Sequence, residues 1–188
     1  MKHTLAIMLC LGLACFAKAA LPDGSEFTKL RMDYAASPDA LYSWNSDPER
    51  RALLKIPETD KKQFVEKATA WLKKCPVDAE IHLMTASALS ALGRSAETVF
   101  HRYMFYGLMQ SITGTADGLS PKTAFKVIAI PEEYLVCNYL GAEVKRQRLE
   151  GHFDVLTVSK DNATKDLYFD ASIVLKKEAA ELGIDAKK

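Results

Sequence analysis

From Asp60 onward the apolar residues Phe64, Val65, Ala68, Trp71, Leu72 and Cys75 fall at offsets of 0, 1, 4, 7, 8 and 11, one stripe along an α-helix. A strand alternates with period two and cannot carry that spacing, so the chain must bury this stripe against another element. Pro76 ends the helix, and Val77-Asp78 reads as the capped start of a second one. Ile81, Met84, Ala88 and Leu92 recur there in helical register, while Ala86, Ser87, Ser90 and Ala91 keep the helix thin enough for close packing. Gly93 suits a C′ terminator. Arg94 or Ser95 then opens a third helix through Val99, Phe100, Tyr103, Met104, Phe105, Tyr106, Leu108, Met109 and Ile112. Its second half is apolar nearly all round, which places its end inside the molecule.

Upstream, Phe27, Leu30 and Tyr34 mark a short amphipathic helix from about Gly24 to Ala36, stopped by Ser37-Pro38. Asp47-Pro48-Glu49 combines an N-cap, a proline at N1 and a first-turn acid, and opens a helix to about Lys55. Downstream the composition changes to turn residues at Thr113-Gly114-Thr115-Ala116-Asp117-Gly118. Thr123 to Ile130 then has strand character. Pro131-Glu132-Glu133 predicts a helix start, with both acids near the positive end of the dipole, running toward Gly141. Glu143 to Glu150 is a charged edge strand. His152 to Ser159 and Lys165 to Asp170 are two firmer strands joined through the hairpin signal Asp161-Asn162. A last short helix spans Ser172 or Ile173 to Leu182. The class is α+β: N-terminal helical hairpins packed on a small C-terminal antiparallel sheet with a short helix.

The first residues have the three parts of an export signal: Met1-Lys2-His3-Thr4, an apolar stretch from Leu5 to Ala17, and the small-residue site Ala17-Lys18-Ala19. The apolar run falls short of the roughly 20 residues that cross a bilayer, so no membrane span is expected. Cleavage after Ala19 leaves 169 of the 188 residues, read as one domain over 20–188 with a helical half (24–113) and a β-rich half (114–188). Cleavage also removes Lys2 and Lys18 but no acid, turning 25 basic against 24 acidic residues into 23 against 24. A chain so nearly neutral has no broad field for nucleic acid. A periplasmic or secreted location follows from the leader.

Cys75 and Cys137 are the cysteines left after cleavage, one possible disulfide in an oxidising compartment. Both also fall on apolar helix faces, where a free cysteine serves as a small core hydrophobe, and that is the expectation here. No catalytic set, metal site or cofactor is expected. His82, His101 and His152 are isolated, no metal-ligand spacing occurs, and the Gly114 to Gly118 turn lacks the lysine and helix of a phosphate loop. His82 reads as a helix-surface or hairpin-interface residue. Phe100, Tyr103, Phe105 and Tyr106, with Met104, Met109 and Arg102, form the most interface-like group, although helical spacing makes core packing their default.

Two resemblances follow from these motifs. The run Trp71, Pro76, Ala88, Leu89, Leu92, Gly93 and Ala96 resembles a tetratricopeptide repeat over about one and a half units, with His82 and Thr85 where larger residues are usual. It implies a hairpin packed in that style, without a superhelical groove. The stretches Gly114 to Ile128, Glu132-Glu133-Tyr134, Phe153-Asp154-Val155-Leu156 and Leu167-Tyr168-Phe169-Asp170 resemble an exported bacterial family known only as a domain of unknown function. Ala116 stands where that family's turn has glycine. The resemblance implies an envelope setting and no reaction.

The functional expectation is a non-enzymatic protein that binds a protein or peptide through Arg102, Tyr103 and Tyr106 or through the adjoining Asp117, Gly118, Ser120 and Thr123. One alternative is an inhibitor or immunity-like binder of a small toxin or enzyme. Another is a small hydrolase gathering Asp117, Ser120, Thr123 and His152.

Overall fold

The computed structural model describes residues 22–183, so the expected leader and the Lys187-Lys188 end lie outside the described residues. The chain order is α1 (Ser25–Ala36), α2 (Pro48–Leu53), α3 (Lys61–Lys74), α4 (Ala79–Ala91), α5 (Ser95–Thr113), β1 (Phe125–Lys126), α6 (Ile130–Tyr139), β2 (Glu143–Glu150), β3 (Phe153–Lys160), β4 (Ala163–Asp170) and α7 (Ser172–Glu181). Among the described residues no helix is long and apolar enough to cross a membrane. The fold is α+β.

Three helix starts use the aspartates that the sequence offers. Asp47 accepts from Glu49 N, Asp60 from Gln63 N and Asp78 from Ile81 N, each satisfying an N–H that the helix cannot. Gly93 adopts φ +72° after α4, and Arg94 N donates to Leu89 O at 2.9 Å across that turn.

The sheet order is β1-β4-β3-β2, with β3 antiparallel to both neighbours and β1 parallel to β4. Asp161 and Asn162 take φ 51° and 62°, the conformation a two-residue hairpin requires. Register places Leu156 opposite Leu167 and Asp154 opposite Phe169, on the face that meets the helices. The other face carries Arg148, Thr157 and Asp166, joined by hydrogen bonds. The β2 edge is protected by its charges and by a bulge between Val144 and Arg146.

One strand is shorter than the sequence suggests. Only Phe125 and Lys126 of the expected Thr123 to Ile130 strand pair with β4. Val127 N still reaches Asp170 O at 3.3 Å, but beyond it the buried backbone takes other partners: Glu132 accepts from Ile128 N at 2.8 Å, and Ile130 N donates to Tyr42 O at 2.9 Å. Those bonds turn the backbone away from the sheet and into α6.

A single cluster of buried side chains runs from Phe27 through Trp44, Trp71, Leu108, Phe125 and Phe169 to Val174, and so spans both halves of the chain. Two charged clusters lie inside it. Arg31 of α1 grips Glu132 through Nε at 2.8 Å and Nη2 at 2.6 Å, and also donates to Lys126 O at 2.9 Å. Arg50 donates to Asp78 at 2.7 Å, and the Trp71 indole donates to the same carboxylate at 2.9 Å. Cys75 and Cys137 are free and fully buried. Burial pushes their thiols up to about 12 and about 11, far from the ionised form a nucleophile needs.

Candidate partner-binding face

α5 divides into two environments. Its second half is enclosed: Leu108, Met109 and Ile112 are buried, and α1 sits so close that a Cβ on Gly107 would come within 2.2 Å of the Phe27 ring. Its first half lies on α4 and leaves one side open. Val99 is 68%, Phe100 54%, Tyr103 45% and Tyr106 39% exposed. Val99, Tyr103 and Tyr106 are spaced by four and three residues and share a face, with Phe100 beside them. The core-packing expectation holds for Phe105, which is buried, and fails for Phe100, Tyr103 and Tyr106, which the neighbouring helices cover only in part.

The exposed rings are held in place. Tyr103 meets Phe27 edge to face at 5.3 Å, and its hydroxyl donates to Glu26, which holds the phenol above its usual range. Phe100 packs edge-on against His101 at 5.1 Å and His82 at 6.4 Å. Arg102 is exposed and borders a cleft of about 550 Å³ between α4 and α5, where Leu83, Met84, Ser87 and Ala91 form the wall. Leu83 of that wall is itself 41% exposed.

His82 and His101 pin the hairpin beneath this face. His82 Nε2 lies 3.1 Å from Pro76 O, which can only accept, so that nitrogen carries the hydrogen. Its Nδ1, 2.9 Å from His101 Nδ1, is then the acceptor and His101 the donor. Burial, reinforced by the His101 ring, pushes His82 down to about 4. Neither ring has the partners of a metal site, and among the described residues no group of three ligating side chains occurs.

The second group of sequence-derived residues forms a closed turn. Asp117 accepts from the Thr123 side chain and from Leu119 N at 2.9 Å, which in that order hold its carboxyl below the usual range, and Ser120 Oγ lies 2.9 Å from Thr123 Oγ1. Gly118 N donates to Thr123 O at 2.8 Å, and Tyr168 N of β4 donates to Gly118 O at 2.7 Å. Gly118 has φ +69°, and a Cβ there would sit 2.3 Å from the Phe125 ring, so the position admits only glycine. These bonds use the polar groups to shape the turn. His152 is exposed and stacks on Phe153 with ring centres 4.0 Å apart; no hydrogen bond among the described residues joins it to Asp117, Ser120 or Thr123.

Glu132 and Glu133 depart from the reading of two acids complementing a helix dipole. Both are buried, Glu132 against Arg31 and Glu133 against Asp154 of β3. The signal available in the sequence was their setting, two acids between Ile130-Pro131 and Leu135-Val136 in an otherwise apolar helix.

The family described as a domain of unknown function (DUF4919) matches residues 25–180. No curated protein and no solved structure matches the chain.

Proposed function

We propose, from the premise that the chain belongs to this family of unknown function, that it is an exported interaction protein that binds a protein or peptide through the open face of α5. The observation that carries the reading is the row of Val99, Phe100, Tyr103 and Tyr106, four large apolar side chains left open on one helix and bordered by Arg102. Tyr and Arg are the residue types that anchor interface centres, and rings already fixed by Phe27, Glu26 and the histidine pair lose little freedom when a partner covers them. The location is periplasmic or secreted, supported by the pattern from Met1 to Ala19.

Capture from a periplasmic extract with the wild-type protein, Tyr103→Ala and Phe100→Ser tests the binding site. One partner retained by wild type and released by both variants, each still folded by circular dichroism, is the expected result. Identical capture by all three proteins removes α5 as the site. Cell fractionation and N-terminal sequencing test the location, with Ala20 as the first residue of the exported form.

A further inference from the structure

Among the described residues, two buried side-chain oxygens have no hydrogen-bond partner: Glu133 Oε2 and Asp154 Oδ1. They belong to carboxyl groups that face each other within hydrogen-bonding reach, across the contact between α6 and the sheet. Glu133, in the first turn of α6, is 1% exposed. Asp154 stands near the start of β3, on the same sheet face as Leu156 and Phe169. Two ionised carboxylates so placed repel each other in a medium that screens poorly, and each would keep an unsatisfied oxygen. A single proton between them satisfies both oxygens.

The neighbours decide which residue holds it. Gln147 of β2 donates from Nε2 to Asp154 Oδ2, and its Oε1 accepts from the Tyr134 hydroxyl. Gln147 already donates to the Asp154 carboxyl, and Glu133 is the more buried of the two, so the proton is assigned to Glu133. We infer that Glu133 and Asp154 share one proton at neutral pH, and that this proton is a latch between α6 and β3 that alkali releases. The groups around the pair offer no substitute for it. On α6 they are Glu132, Tyr134 and Cys137, and on β2 the neutral Gln147. Arg31 of α1 is committed to Glu132, and Arg148 lies on the opposite face of the sheet with Asp166. Burial first, then the Asp154 and Glu132 charges, push the Glu133 carboxyl up to about 9.

Between about 4.5 and about 9 the folded protein holds a proton that the unfolded chain has lost, so stability falls as pH rises through that window and levels off above it. Once the proton leaves, either two buried negative charges remain opposed or α6 parts from β3.

Infrared spectroscopy and thermal unfolding test the latch. The difference spectrum of wild type against Glu133→Gln at neutral pH should show the C=O stretch of one un-ionised carboxyl. The Tm of wild type should fall from slightly acidic pH toward about pH 9, with growing hydrogen exchange of the α6 amides after correction for intrinsic base catalysis. Glu133→Gln, whose amide supplies the hydrogen permanently, should unfold a few degrees higher than wild type at the alkaline end, with a smaller gain at the acidic end. Asp154→Asn, which removes the opposing charge, should flatten the same profile and keeps the test readable if the glutamine variant fails to fold. Absence of the carboxyl band, or parallel pH profiles in wild type and the variants, overturns the latch.

Discussion

Adjacent acids on the first turn of α6 are buried by opposite means: Glu132 by a cation from α1, Glu133 beside a second acid from β3. Arg31 brings the opposite charge, so its pair with Glu132 joins α1 to α6 without needing a shared proton. The acid pair holds α6 to the sheet only while a proton is present, on the reading above. One helix therefore has a permanent attachment and a conditional one, a single residue apart. Burial alone says nothing about which kind a carboxylate makes; the partner decides.

The largest effect is expected of Arg31→Ala. It leaves Glu132 buried without its cation and should cost about 3–5 kcal/mol in urea unfolding. Combining Arg31→Met with Glu132→Leu sharpens the point. The double variant should recover most of that loss, since an apolar pair of similar volume often replaces a buried ion pair without net cost. If it remains as unstable as Arg31→Ala, the pair's hydrogen bonds to Lys126 O and Ile128 N matter more than its charge.

A third buried ionisable group extends the contrast to acid. His82 is held neutral at about 4, so its contribution is present above the ordinary histidine range and is lost as pH falls from about 6.5 toward about 4. Denaturant midpoints measured across that window should decrease, and the His82 ring signals should titrate below those of a free histidine. The smallest effect belongs to the open face of α5. Phe100→Ser should change stability by about 1 kcal/mol or less while abolishing partner capture, because more than half of its surface is exposed.

How much of this is legible in the sequence depends on the range of the interaction. The α3 stripe, the aspartate caps and the Asp161-Asn162 hairpin are local, and each is readable from neighbouring residues. The strand expected over Thr123 to Ile130 illustrates the limit. An apolar run records burial, but whether it pairs is decided by the bond to Glu132, four residues on, and by the bond to Tyr42, far upstream. The aromatic face is half legible: spacing tells which rings share a side of α5, yet nothing in the spacing says that this side stays uncovered. Glu132 and its cation lie 101 residues apart, and no local pattern could join them.

The close seat of Phe27 on Gly107 carries an evolutionary consequence. The ring occupies the volume that any side chain at position 107 would need, so the two positions form one lock of a large ring and the smallest residue. A descendant chain that gains a methyl group at 107 must surrender the ring at 27 or tilt its first helix, and with it the arginine at 31. Drift at one silent-looking glycine is thereby tied to the fate of a charge about one turn farther along the first helix.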